Sequence, residues 1–193
     1  MLFGSEPFTS ELVLSNKKLF KYSLIWKKTR PQGFAQAPYK FMSNHEDILV
    51  FSRGGCSKNS KIRMKFNPQG LIYNPKLTKG KKSHSSPHRI RVSDQKEYIS
   101  YWTNYPRSVI EIDSEFKTVH PTQKPIKLIE YLIKTYSNDG DIILDNCMGS
   151  GSTGVSCVNT NRKFIGIELD EKYYDISCKR ITDAINEKKQ SLF

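Results

Sequence analysis

Short apolar runs alternate with polar, turn-forming segments in the C-terminal half of the chain. Ile142–Leu144 and Phe164–Ile167 are such runs, and turn residues bound both of them, which is typical of buried strands. Between Pro125 and the turn residues that precede Ile142, four apolar residues recur at helical spacing: Leu128, Ile129, Leu132 and Ile133. Pro125 suits the first turn of a helix and Thr122 is a candidate cap, so this segment predicts an amphipathic helix.

The N-terminal segment has a strand-like pattern that basic and polar stretches interrupt. Three segments rich in apolar and aromatic residues predict strands: Met1–Phe3, Phe20–Trp26 and Ile48–Phe51. Ser5, followed by Pro7, predicts the start of a helix. We expect the basic segment Lys27–Gly33 to be a loop, and His45 and Glu46 to lie in a solvated helix end.

The last predicted element is a helix over Glu171–Lys188. Three residues at helical spacing predict its buried stripe: Tyr174, Ile181 and Ile185. Strands and helices therefore alternate through the C-terminal half. This order indicates an α/β protein built on an open parallel sheet with helices on both faces.

A glycine-rich loop, Asp145–Gly154, lies directly behind the first of the C-terminal strands. Gly149, Gly151 and Gly154 match the G-x-G-x-x-G pattern, in which glycines let the backbone turn tightly and approach a ligand before a helix begins. The next strand ends at an acidic residue, Glu168. The order of strand, glycine loop, helix, strand and acid indicates a nucleotide-type cofactor site.

The acid at the end of the first strand distinguishes between cofactors. A dinucleotide needs the loop amides to hold its anionic pyrophosphate, and Asp145 would repel a phosphate there. An acid suits the ammonium and sulfonium groups of S-adenosylmethionine, and Glu168 would accept hydrogen bonds from the ribose hydroxyls. We therefore favour S-adenosylmethionine over a nicotinamide dinucleotide. The structural alternative is an ordinary tight turn capped by Asp145.

Composition narrows the class of partner and the location. At 193 residues, the chain is long enough for one domain with a core and a small insertion. Its formal net charge of +12 favours an anionic partner, above all nucleic acid. The four cysteines contain no C-x-x-C pair, which indicates reduced thiols rather than disulfides or a zinc site. No apolar run reaches the ~20 residues that span a bilayer and no signal-peptide pattern is present, so we expect a cytoplasmic location.

Residues 53–93 form a basic segment without a single acid. Prolines, glycines, serines and asparagines break any periodicity, which predicts an extended, loop-rich insertion. We take its basic residues as the candidate DNA contacts: Lys58, Lys61, Arg63, Lys65, Lys79, Lys81, Lys82, Arg89 and Arg91. The alternative is a solvated loop, but one-signed charge inside a globular chain favours a surface that tracks phosphates.

Three segments together resemble the cofactor half of DNA methyltransferases that modify exocyclic amines: the run His120–Pro125, the loop Asp145–Gly154 and the segment Gly166–Asp170. These enzymes methylate adenine at N6 or cytosine at N4. The order of the motifs is similar to their circularly permuted, beta-type arrangement, in which the cofactor motif lies near the C-terminus. The resemblance is dense over residues 120–180 and looser over residues 2–51.

The resemblance implies a Rossmann-like, S-adenosylmethionine-dependent methyltransferase sheet with a basic loop-rich insertion. Within this one domain, residues 1–52 would be the remainder of the catalytic half. Residues 53–119 would be the basic insertion and the target-recognition region. Residues 120–193 would be the part that binds S-adenosylmethionine.

The resemblance also implies the residues of the cofactor site: Thr122, Lys124, Asp145, Asn146, Cys147, Gly149, Ser150, Gly151, Ser152 and Glu168. The loop residues would line the methionine and adenosine pocket, and Glu168 would hold the ribose. Thr122 and Lys124 would meet the methionine carboxylate, for which a lysine and exposed helix amides are suitable. The implied reaction flips a base out of double-stranded DNA and transfers a methyl group from the sulfonium to its exocyclic amine.

One motif of the family is missing. The catalytic motif is Asp, Asn or Ser followed by two prolines and an aromatic residue, whereas none of the nine prolines here adjoins another. We therefore assign no catalytic residue in this chain. Because the motif normally ends a central strand, we expect the sheet to lack that strand. We expect a truncated or split methyltransferase whose motif lies on a separate N-terminal polypeptide; the alternative is a DNA- and cofactor-binding remnant without activity.

Overall fold

The chain divides into two compact units. A computed structural model describes residues 1–79, 97–115, 118–120 and 122–191. One unit consists of Met1–Asn67 and Arg107–Phe193, and the other of Pro68–Pro106. Residues 53–67 and 107–119, at the two ends of the predicted insertion and target-recognition region, thus belong to the larger unit. The functional division into three segments stays a prediction.

The elements confirm the predicted order of strand, glycine loop, helix and strand near the C-terminus. In chain order they are β1 (Leu2–Gly4), α1 (Phe8–Ser15), β2 (Phe20–Gln32), β3 (Ser43–Phe51), β4 (Ile72–Lys79), β5 (Glu97–Thr103), β6 (Val109–Glu111), α2 (Ile126–Tyr136), β7 (Ile142–Asp145), α3 (Ser152–Asn159), β8 (Lys163–Gly166) and α4 (Glu171–Gln190). A single 3-10 turn, Phe34–Gln36, lies between β2 and β3. The strands β4 and β5 belong to the smaller unit, and the other elements to the larger one.

Four strands form a mixed sheet in the order β1-β3-β2-β6. Strand β3 is antiparallel to β1 and β2, whereas β6 is parallel to β2. The predicted loop over Lys27–Gly33 is wrong, because β2 continues through almost all of it. Cross-strand pairing is the physical reason: Lys27 lies opposite His45, and its ammonium bonds Glu111 of β6 at 3.0 Å. His45 and Glu46 accordingly lie in a strand, not in the predicted helix end.

Helix α2 is confirmed, and the four apolar residues that predicted it are buried, but they divide between two hydrophobic clusters. Leu128 and Leu132 pack with buried residues of the four-stranded sheet: Trp26, Ile48 and Ile110. Ile129 and Ile133 pack with Cys157 of α3 in a second apolar cluster. Ile143 of β7 and Phe164 of β8 also pack against that cluster. One helix therefore connects the four-stranded sheet to the C-terminal strands through continuous apolar packing.

The four-stranded sheet has helices on both faces. Phe3 of β1 packs on the clusters formed by α2. The next residue, Gly4, lies against α1, since a Cβ there would sit 2.8 Å from Thr9. Successive residues of a strand point to opposite faces, so α1 and α2 cover opposite faces of this sheet.

The parallel pair of β7 and β8 has described helices on one face only. Ile143 and Phe164 pack on α2 and α3. Side chains that alternate with them are largely exposed: Ile142 at 62%, Leu144 at 62% and Ile165 at 52%. In the part of the chain that the structure describes, no helix covers this face of the pair, whereas the four-stranded sheet has the predicted helices on both of its faces.

Helix α4 is confirmed, but two of the three residues of its predicted buried stripe, Tyr174 and Ile185, are exposed. Ile181 is half-buried against Gly154 of α3, and the buried positions of α4 are Ser177 and Ala184. Small residues are required because α4 approaches the glycine loop closely, and a Cβ on Gly151 would lie 2.8 Å from Ser177. Close packing at the glycine loop thus explains why a small residue occupies position 177 on the buried face of α4.

Two further predictions are corrected near helix α1 and in the smaller unit. Ser5 is not a side-chain cap, since α1 begins after Pro7 with no side-chain cap hydrogen bond. In the smaller unit, β4 lies within residues 53–93, for which the sequence predicted loops, and it pairs antiparallel with β5. Tyr73 and Trp102 pack edge to face across the two strands with ring centroids 5.2 Å apart, the kind of aromatic pair that stabilises a hairpin.

None of the helices in the described ranges has the length and apolar character needed to cross a bilayer.

The core position of α2 predicts a large effect of truncation. Leu128 is 0% exposed, so Leu128→Ala should lower the free energy of unfolding by about 2–5 kcal/mol through lost burial and a residual cavity. Leu14→Ala is the matched control, because Leu14 is a helical leucine that is 62% exposed and its loss should cost about 0.5 kcal/mol. Urea unfolding followed by circular dichroism measures both; equal losses would contradict this packing.

Candidate cofactor site

The glycine loop connects the carboxyl end of β7 to the start of α3. Gly149 and Gly151 have φ values of +53° and +79°, a region that L side chains rarely adopt. Backbone hydrogen bonds then join the loop to the end of β8: the Ile167 amide donates to Asp145 O at 2.9 Å, and the Met148 amide to Ile167 O at 3.0 Å. The loop is therefore fixed at the carboxyl ends of two parallel strands, where open α/β sheets bind ligands.

Asp145 shapes the loop with both of its carboxylate oxygens. One accepts a hydrogen bond from the Cys147 amide at 3.2 Å, and the other accepts from the Thr153 hydroxyl at 2.6 Å. Sequence reasoning missed Thr153, although its place in the first turn after the glycines is a usable signal. The Asp145 carboxylate is thus oriented by the loop itself before any ligand binds.

Glu168 supplies a second carboxylate close to the same loop. Its Oε2 accepts from the Gly149 amide at 2.8 Å, and its Oε1 accepts from the amides of Leu169 and Asp170 at 2.9 and 3.1 Å. Hydrogen bonds from the backbone amides of Asp170 and Gly149 lower the pKa of Glu168, so the group is an anion at neutral pH. The structure therefore brings both predicted acids to the glycine loop.

The run His120–Pro125 lies against this loop. The His120 ring packs on Gly149, with about 3.6 Å between ring atoms and the position of a Cβ there, and edge to face on Tyr173 of α4 at 4.3 Å. Thr122 is not the predicted helix cap: its amide and hydroxyl lie 3.1 and 3.0 Å from His120 Nδ1. The structure describes no position for Pro121.

Lys124 is held by an acid that the sequence did not suggest. Its ammonium lies 3.1 Å from Glu46 Oε2, and the other oxygen of Glu46 lies 3.1 Å from Lys28. Lys124 also lies 5.2 Å from the centre of the Phe3 ring. Two lysines thus share one carboxylate, which leaves a net positive charge near the start of α2.

Three other predicted loop residues differ in exposure. Asn146 and Cys147 are exposed, and partial burial together with the charges of Asp145 and Glu168 raises the pKa of the Cys147 thiol. The Cys147 side chain is accordingly a neutral thiol at neutral pH, which disfavours a role as a nucleophile. Ser152 is 7% exposed, and its hydroxyl has no hydrogen-bond partner among the described residues.

The candidate DNA contacts fall into different parts of the chain. In the larger unit, the Lys65 ammonium bonds Asp141 at 2.6 Å, and the Asn67 amide donates to Ser137 O at 3.0 Å. A backbone hydrogen bond from Asn138, followed by the contact with Lys65, lowers the pKa of Asp141. These contacts lie at the C-terminal end of α2, an 11-residue helix about 16 Å long, whereas the glycine loop lies near its N-terminal end.

The remaining candidate DNA contacts differ in the unit to which they belong and in whether the structure describes them. Lys58, Lys61 and Arg63 precede Lys65 in the larger unit and are exposed. Lys79 ends β4 of the smaller unit, and nothing is described of its side chain. The other candidates lie outside the described residues: Lys81, Lys82, Arg89 and Arg91. Contact of this set with DNA stays a prediction.

Comparison with known proteins assigns the family. Residues 8–179 match the family model of N6 and N4 methyltransferases, described as DNA methylase. The match covers most of the chain, and the chain therefore belongs to the DNA methylase family that methylates adenine at N6 or cytosine at N4.

Individual relatives support this assignment. The chain is 32% identical over 165 residues to the type II methyltransferase M2.DpnII of Streptococcus pneumoniae, covering 86% of this chain and 52% of that protein. It is 31% identical over 161 residues to M.HinfI of Haemophilus influenzae, covering 83% of this chain and 38% of that protein. The crystal structure of the M1.HpyAVI–SAM complex is 27% identical with a TM-score of 0.61, covering 93% of this chain and 72% of that one. The chain spans about half the length of these curated relatives or less.

The charge on Glu168 predicts a pH-dependent contribution to stability. Because its pKa is depressed below the ordinary 4.5, its ionised form stabilises the fold above that pH, and the contribution is lost as the pH falls through the lowered pKa. Glu168→Gln should therefore lower the melting temperature at neutral pH, and the difference should shrink as the pH falls below 4.5. Glu187→Gln, on an exposed part of α4, is the control. A difference that stays constant over this pH range would contradict the assignment.

Proposed function

We propose that this chain is the methyl-donor part of a DNA amino-methyltransferase. It binds S-adenosylmethionine at the carboxyl ends of β7 and β8, and the methyl group goes to the exocyclic amine of adenine (N6) or cytosine (N4) in double-stranded DNA. The observation that carries this proposal is the pair of oriented carboxylates, Asp145 and Glu168, that meet at one glycine loop.

The residues present fit this cofactor in charge and in hydrogen-bonding capacity. Two anionic side chains favour a ligand with cationic and hydroxyl groups over one with a pyrophosphate. The buried Ser152 hydroxyl lacks a partner in the described part of the chain, so a polar ligand atom would satisfy it. The relative M1.HpyAVI has been crystallised as a complex with this cofactor, which supports the proposal.

Each group would perform a simple task. When bound, S-adenosylmethionine supplies an electrophilic methyl group on its sulfonium. Asp145 and Glu168 accept hydrogen bonds and stabilise positive charge, as proposed for the ammonium group and the ribose. Lys124 would meet the carboxylate of the methionine moiety. The cluster of Lys28, Glu46 and Lys124 supports this role, because its two lysines and one glutamate leave one positive charge in excess. The loop residues Asn146, Cys147, Gly149, Ser150 and Gly151 complete the proposed pocket.

We further propose that the catalytic motif comes from another polypeptide segment. Among the described residues, β1 is an edge strand of the four-stranded sheet and β7 is an edge strand of the β7–β8 pair. Phe3 of β1 and Ile143 of β7 pack on the same cluster of α2 and α3. A strand added between these edges would pair otherwise unpaired backbone groups and would carry the missing motif beside the glycine loop.

Double-stranded DNA is the proposed substrate, and basic residues are the proposed phosphate contacts. A net charge of +12 supports an electrostatic contribution that is independent of sequence. Lys65 is already paired with Asp141, so the exposed Lys58 and Lys61 are the better candidates in the larger unit. A cytoplasmic location remains part of this proposal.

Removal of one of the two acids should weaken the binding of S-adenosylmethionine. Asp145→Ala should reduce the affinity for S-adenosylmethionine by ~1–3 kcal/mol, the size of a lost charge-assisted hydrogen bond. Asp183→Ala is the control, because its ion pair with Lys179 is on the exposed surface of α4 and contributes little. Isothermal titration measures both variants; unchanged affinity in Asp145→Ala would show that the pocket is misplaced.

Methyl transfer should depend on the missing motif. Transfer of a labelled methyl group to DNA should be at background for the chain alone and should appear when an N-terminal segment with the Pro-Pro motif is supplied. The motif is needed because its polar side chain and carbonyl orient the target amine. Robust transfer by the chain alone would contradict the split arrangement, and no transfer in either case would favour a binding remnant.

A further inference from the structure

A chain of hydrogen bonds joins the run His120–Pro125 to the glycine loop, and Gln123 is at its centre. The Oε1 atom of Gln123 accepts from the Ser150 hydroxyl at 3.1 Å and from the Val119 amide at 3.2 Å. Its Nε2 donates to the carboxylate of Glu115. An N–H group on one side and a carboxylate on the other determine which end of the amide faces each partner.

The chain of bonds continues beyond Gln123 at both ends. Ser150 is 3% exposed, and both its carbonyl and its hydroxyl accept hydrogen bonds from Arg180 of α4. Glu115 uses its other oxygen to accept from the amide of Ile126, the first residue of α2, at 2.9 Å. A carboxylate is favourable at that helix start. The bonds thus link the glycine loop, α4, the run and the start of α2.

We propose that Gln123 is a positioning residue for the methyl donor. Its position connects the two sides of the proposed pocket, one formed by the glycine loop and the other by the run with Lys124. It acts through Ser150 and Glu115 and is not assigned a contact with the donor. This inference rests on the proposed function, and it goes beyond it by naming what sets the spacing of the pocket.

The amide is required because the partners at its two ends need opposite hydrogen-bonding groups. Glu115 needs a donor, whereas Ser150 and Val119 need an acceptor. Gln123→Glu keeps the shape and supplies two acceptors, which places a carboxylate against that of Glu115. Like charges at this distance are unfavourable unless one group takes up a proton.

The charged groups around position 123 come from several elements. Arg180 reaches it from α4 through Ser150, and His120 and Lys124 belong to its own run. Lys124 is held by Glu46 of β3. Of these, Glu115 is the group in direct contact with the substituted side chain. Its repulsion therefore determines the expected dependence on pH.

The test is the affinity of the full chain for S-adenosylmethionine, measured by isothermal titration over a pH series. Gln123→Glu should bind about tenfold more weakly than the unmodified chain near pH 8, and the loss should diminish as the pH falls to about 5.5, because a protonated carboxyl group donates as the amide did. Gln36→Glu, at an exposed position of the 3-10 turn, is the matched control and should bind normally throughout.

An exchange of the two groups provides the decisive comparison. In the double variant Gln123→Glu with Glu115→Gln, the introduced amide donates to the introduced carboxylate and still accepts from Ile126. Affinity should return to that of the unmodified chain at every pH. If the single variant does not fold, the exchange still decides: normal affinity supports the inference, and affinity about tenfold weaker overturns it.

The outcomes separate this inference from the proposed function. Failure of the unmodified chain to bind S-adenosylmethionine would overturn both. Normal binding by the unmodified chain, together with an affinity of Gln123→Glu that is unchanged near pH 8, would overturn the positioning role alone. A loss that does not vary with pH and is not restored by the exchange would also overturn it.

Discussion

The two-sided packing of helix α2 is the constraint on which the larger unit depends. Leu128 and Leu132 face the four-stranded sheet, and Ile129 and Ile133 face α3 and the β7–β8 pair. Among the described strands, the two sheets share no backbone ladder, so this helix carries much of their connection. The run His120–Pro125 lies at one end of this helix, and at the other end Asn67 donates a hydrogen bond to Ser137 O.

That architecture explains how few residues are needed to build the proposed cofactor site. The carboxyl ends of β7 and β8 bring Asp145 and Glu168 to one loop, and backbone amides orient both carboxylates. The run His120–Pro125 before α2 also packs against this loop, through His120 and Gln123. Each acid is thus fixed by the fold before a ligand arrives, which lowers the cost of ordering on binding.

Local patterns were sufficient for the elements that form the site. The runs Ile142–Leu144 and Phe164–Ile167, the glycines between them and the apolar spacing in α2 all depend on neighbours in sequence, and the structure confirms the elements that they predicted. The contacts that sequence reasoning missed join residues far apart in the chain. Glu46 with Lys124 and Gln123 with Ser150 are such pairs, and no periodicity indicates them. The misplaced stripe on α4 has the same origin, because its burial depends on the glycine loop of another element.

The central claim is that this chain by itself forms a site for a cationic methyl donor and not for a dinucleotide. The most direct test is isothermal titration of the unmodified chain with S-adenosylmethionine and, separately, with NAD. The account predicts saturable binding of S-adenosylmethionine at one site per chain and no binding of NAD over the same concentration range. Binding of NAD with comparable affinity, or no binding of S-adenosylmethionine, would contradict it.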